Sequence, residues 1–128
     1  MLYMAESKKS LDRMAADLQH ALTRHEFGTL GVHDLKQGMA RKGVALDREC
    51  RIFEVCAVHR AKRVLDAGLV FSAIVPCRIA LYEEDGSTRL AMLRPTALLG
   101  VYPDDQRTGV GELEAVLVDT IDEAIAEP

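Results

Sequence analysis

Leu11, Met14, Ala15, Leu18, Ala21 and Leu22 recur at three- and four-residue steps with polar residues between them. That period is the stripe of an amphipathic helix, and it predicts one from Ser7 to Phe27, with Ser7 as N-cap and Gly28 as its stop. Thr29 to His33 is a short run with β-branched residues and predicts a strand; Asp34 then caps a brief helix through Met39 that stops at Gly43. From Arg51 to Val58 the period changes to two, so that Phe53, Val55 and Ala57 point one way and Ile52, Glu54 and Cys56 the other. A sheet covered on one face would take Phe53 and Val55 inside and leave Glu54 and Cys56 together on the opposite face.

The stretch HRAKRVLDAG reads as a helix with Ala61, Val64 and Leu65 inward, ending at Gly68. Val70 to Tyr82 is strand-like but contains Pro76, which cannot donate to a ladder and marks a bulge, an edge or the true start of the strand. Asp85-Gly86 supplies the positive φ of a tight hairpin turn, with Arg89 to Arg94 as the returning strand. Pro95 to Gly111 is loop-rich, and beyond it Leu113, Val116, Leu117, Thr120, Ile121, Ala124 and Ile125 trace a last amphipathic helix. Helices alternating with strands, plus one clear hairpin, favour an α+β two-layer sandwich with helices packed on one face of a mostly antiparallel sheet.

A length of 128 residues allows one domain with a real core, spanning residues 1–128. Sixteen basic against 20 acidic residues give a net charge of −4, so there is no overall basic field to attract a phosphate backbone, and with no Trp there is little to stack bases on. Nucleic acid is disfavoured as a partner. The longest apolar run, around Gly68 to Pro76, falls far short of the roughly 18–20 residues that a bilayer requires, so no membrane association is expected. MLYMAESKK has no apolar core between a basic start and a cleavage site; no signal peptide is expected, and the cytoplasm is the expected location. The three cysteines do not form a disulfide framework.

The segments HEFGTLGVHDLKQGMARKGV, FEVCAVHRAKRVL and IVPCRIALYEEDG resemble the domain of unknown function 302 (DUF302) family over nearly the whole chain. The resemblance implies a small α+β fold, a homodimer and no established activity; occurrence of relatives among sulfur-oxidising microbes points toward sulfur or thiol chemistry. The family commonly runs Glu-Val-Cys-Asn-Pro into its second long helix, and here Glu54, Val55 and Cys56 match while Ala57 and Val58 replace the last two. The strand preceding the first helix is short, about LYM.

Cys56 and Cys77 are the residues to watch. The helix after Cys56 carries Arg60, Lys62 and Arg63, which with the positive end of the helix lower a thiol pKa, whereas Glu54 on the same face raises it. Three readings stay open: a ligand-binding or sulfur-carrying domain, a thiol-redox enzyme in which Cys56 attacks and Cys77 resolves, or a structural or regulatory homodimer whose cysteines are buried small hydrophobes. Cys56, His59, Cys77 and Glu54 could face a soft metal, but no second paired motif supports it, and neither metal nor cofactor is expected. His20 and His25 lie about 140° apart on their helix and form no pair; with His33 they read as solvated. Cys50 reads as a strand-edge residue, no phosphate-binding glycine loop occurs, and Ser72 and Ser87 have no nucleophile context.

Arg51, Arg78, Arg89 and Arg94 come from three neighbouring strands. If Arg78 and Arg94 share a face with Glu54, they pair with it or bind a small anionic or sulfur ligand, with His59 nearby. The alternative is arginines that are simply solvated or lie in a dimer seam.

Overall fold

The computed structural model describes residues 1–102 and 104–128. In chain order the elements are β1 (Leu2–Ser7), α1 (Leu11–Arg24), β2 (Gly28–Asp34), α2 (Leu35–Ala40), β3 (Cys50–Cys56), α3 (Val58–Ala67), a 3-10 helix (Leu69–Ala73), β4 (Cys77–Glu84), β5 (Ser87–Leu93), α4 (Pro95–Leu99) and α5 (Val110–Ala126). The strands form one sheet in the order β1-β5-β4-β3-β2, and every neighbouring pair is antiparallel. The fold is α+β.

Alternation along the strands decides which face is covered. Phe53, Val55, Ile79, Leu81, Leu90 and Met92 point to one side and are buried together with Met14, Leu18 and Leu22 of α1 and Leu113, Leu117 and Ile121 of α5. Each large aliphatic side chain removed from water here stabilises the fold by about 1.5–3 kcal/mol. Among the described residues the opposite face carries no helix layer of comparable extent: Leu2, Met4 and Leu93 are about half exposed there, at 53%, 47% and 47%.

Several boundaries differ from those the pattern predicts. The first helix begins at Leu11 and is capped by Ser10, whose side chain accepts from the Arg13 N–H; Ser7 belongs instead to β1, a six-residue strand in register with β5 from Leu2↔Leu93 to Ser7↔Thr88. Asp34 caps α2 as expected, accepting from Gln37 N–H. Of the three meanings offered for Pro76, the start of the strand is correct: Leu69–Ala73 winds into a 3-10 helix and β4 begins at Cys77. Asp85 and Gly86 both have positive φ, 53° and 75°, in the β4–β5 turn. Pro95–Leu99, read as loop, is a helical turn with proline in its first turn.

Candidate functional site on the open face of the sheet

The open face is built by the register of the three strands β2, β3 and β4. Glu54 stands directly opposite Arg78 on one side and Gly31 on the other. His33 joins this face through an irregularity in β2: Thr29 pairs with Val55, but Gly31 already pairs with Glu54, so Leu30 is an extra residue. The bulge reverses the alternation, and His33 comes to lie opposite Ile52, with its ring over Gly31 and its Nε2 hydrogen-bonded to Glu54 Oε1. His33 is exposed, as its polar character predicts, but its contact with Glu54 depends on the bulge, which nothing in the residue types of β2 announces.

The arginines divide sharply. Arg51 Nη2 donates to Asp12 Oδ1 at 2.7 Å, tying β3 to α1. Arg89 lies near Glu84 and Asp85 of the hairpin, at 3.5 and 3.8 Å. Arg94 turns toward the helices: its Nη1 is 3.6 Å from Glu114 Oε2 and its guanidinium sits 5.2 Å above the centre of the Tyr3 ring. Glu114, buried in α5, also accepts from the Thr96 N–H and hydroxyl at 3.0 and 2.7 Å, so Arg94 is part of a fixed network apart from Glu54. Arg78 alone of the four makes no ion pair among the described residues, while Glu54 across from it is hydrogen-bonded to His33.

Beside Arg78 a groove of about 390 Å³ runs over the open face. Its floor is Ile52, Ala80 and Ala91, and Leu2, Leu93 and Leu98 line its flank, an apolar surface with one cation at its margin. Leu93 follows in the same strand as Ala91, on the same side two residues on.

The two cysteines do not converge. Cys77 stands opposite Val55 and shares its inward face, whereas Cys56, the next residue of β3, points to the open face opposite Gly28. Burial pushes the Cys77 thiol up to about 12, with a smaller rise from the charge of a Cys56 thiolate. Burial raises Cys56 as well. The cations of α3 do not offset this, since Arg60 and Arg63 reach Glu112 of α5, at 3.1 and 2.7 Å. His59 lies on α3 beside those arginines, lining a cleft in the helix layer that does not include Cys56 or Cys77. Among the described residues no three His, Cys, Asp or Glu side chains gather as a metal site, and no helix is long and apolar enough to cross a membrane.

The sequence pattern of the family described as domain of unknown function DUF302 matches residues 3–127. The chain belongs to the DUF302 family. It is similar to a solved structure, that of an uncharacterized conserved protein DUF302 from Bacillus stearothermophilus, with 26% identity and a TM-score of 0.87 over 96% of this chain and 97% of that one. No curated protein matches the chain. The shared fold covers nearly the whole chain and leaves the chemistry to the residues on it.

Proposed function

We propose that this DUF302 domain is a non-catalytic binding protein whose open sheet face takes a small amphipathic anion. The observation that carries this reading is Arg78: it is exposed, without an ion-pair partner among the described residues, and placed at the margin of an apolar groove. An anionic head on the guanidinium and an apolar tail over Ile52, Ala80 and Ala91 would satisfy both halves of the surface. Sites of this kind are mostly apolar with a few placed polar groups that fix orientation, and His33–Glu54 is a second such group on the same face.

The thiol readings have less support. A carrier or redox nucleophile acts as thiolate, and burial holds both Cys56 and Cys77 toward the neutral thiol. Attack by Cys56 and resolution by Cys77 further requires side chains that meet, and alternation sends these two to opposite faces.

Calorimetric titration of the full chain with decanoate tests the proposal, alongside sedimentation velocity of the same sample. Saturable binding that Arg78→Ala weakens about tenfold, the contribution of one charge-assisted contact, is the expected result. Absence of binding, or equal binding by the variant, overturns it. So does a tight dimer that binds no decanoate and becomes monomeric with Ala91→Arg, which would give the groove to a second copy.

A further inference from the structure

The helix layer holds a second cleft, about 800 Å³, where the end of α1, the start of α3 and the first half of α5 meet. Its lining is cationic toward one end and anionic toward the other. At one end Arg60 and Arg63, one turn apart on α3, share a single carboxylate: Arg60 Nη1 lies 3.1 Å from Glu112 Oε1 and Arg63 Nη1 2.7 Å from Oε2. The other Arg63 amino group donates to the Gln106 carbonyl at 2.5 Å, while Arg60 keeps Nε and Nη2 without a partner among the described residues. Within the cleft lining two guanidiniums stand against one carboxylate and keep unused donors, since each guanidinium carries five; Asp104 and Asp105 line the adjoining hollow at Arg63, with Asp105 3.6 Å from Arg107.

Toward the other end lies Asp119, seven residues and about 10 Å further along α5. Neither Asp119 nor Glu26, at the end of α1, enters an ion pair among the described residues. Arg24 and His25 beside them are already engaged, Arg24 by Glu123 and Glu127 at 2.7 and 2.8 Å and His25 by Glu123 at 2.5 Å. Negative charge is in excess there. Ala57, Val58 and Val116 supply apolar lining between the ends.

We propose that this cleft binds a small zwitterion, with its oxyanion on Arg60 and Arg63, its ammonium at Asp119 and Glu26, and a short apolar linker between them. A singly charged molecule would engage one end only, and opposite charges about 10 Å apart in a half-open cleft are too far separated to neutralise each other through salt water, where the screening length is about 8 Å. The inference is independent of the open-face groove, which lies across the sheet and shares none of these residues.

The test uses amide-resolved NMR titration of the full chain with three probes of similar length: 6-aminohexanoate, hexanoate and hexylamine. The expected result is saturable shifts in α3 and the first half of α5, with 6-aminohexanoate binding about tenfold more tightly than either singly charged probe. Asp119→Asn should narrow its advantage over hexanoate at least about threefold, and Arg60→Gln with Arg63→Gln should bring it down to the affinity of hexylamine. Should the double arginine variant lose its fold along with the Glu112 contacts, Asp119→Asn, a change at a carboxylate outside every ion pair described, still decides. Equal binding of hexanoate and 6-aminohexanoate, no effect of Asp119→Asn, or no saturable shift in the cleft overturns the proposal.

Discussion

At the scale of single residues, burial decides what the thiols can do. A thiolate at Cys77, which is only 6% exposed, would lose most of its hydration, and the fold therefore favours the neutral form. The linkage has a definite sign: the unfolded thiol releases its proton near 9.0 and the folded one only near about 12, so the contribution is intact below pH 9 and declines as pH rises toward 12. Tyr3, raised from 10.0 to about 12 by burial and by its bond to Asp122, acts in the same direction. Urea midpoints measured from pH 8 to pH 11.5 should therefore fall, and Cys77→Ala should flatten part of that fall; a pH-independent midpoint would contradict the burial. Alkylation of native protein at pH 8 should be slow at Cys77 and become fast in denaturant. The sequence made both cysteines visible but not their divergence, because the face of Cys77 follows from the register that sets it opposite Val55, a pairing between strands that alternation within each strand does not give.

At the scale of elements, the long helices are joined by ion pairs as well as by aliphatic packing. Arg24 and His25 at the end of α1 meet Glu123 of α5, and Lys9 and Arg13 meet Asp17 at 2.7 and 3.0 Å, with Lys9 also donating to the Ala124 carbonyl at 2.9 Å. These contacts hold the Glu123 and Asp17 carboxyls below their ordinary range, the His25 hydrogen bond leading at Glu123 and the Lys9 hydrogen bond at Asp17. Stability from groups lowered in this way is present above their ordinary values of 4.5 and 3.8 and is lost as pH falls through the lowered ones. Thermal midpoints should drop below pH 4, and Glu123→Gln should remove part of the drop. Helix α1 gives a second test: Ser10→Ala, which removes the acceptor for the Arg13 N–H, should cost about 1 kcal/mol in chemical unfolding, and Ser7→Ala should leave the helix cap untouched. The helical stripe showed where α1 packs, but the stripe is silent about its first turn; Ser7 was claimed by β1, whose pairing partner lies more than eighty residues away in β5.

For the molecule as a whole, every long helix lies on one side of a five-stranded sheet, and this asymmetry separates stability from recognition. Ile121, fully buried where α5 meets the core, should cost about 2–5 kcal/mol when changed to Ala, as a cavity in a packed interior does. Ala91→Ser, on the open side, should leave the unfolding free energy within about 0.5 kcal/mol, as surface changes usually do. Strand alternation placed Glu54 on the open face, but setting Arg78 beside it needed the β3–β4 register, and the place of Arg94 depends on Tyr3 and Glu114, brought to it from the two ends of the chain. Leu30 adds a different kind of information. Strand recognition is a matter of parity, odd residues to one side and even to the other, and a single supernumerary residue toggles that parity for everything downstream in its strand. His33 reaches Glu54 because of where it falls in the count, so deleting Leu30 would rotate it out of the site while leaving every site residue in place in the sequence.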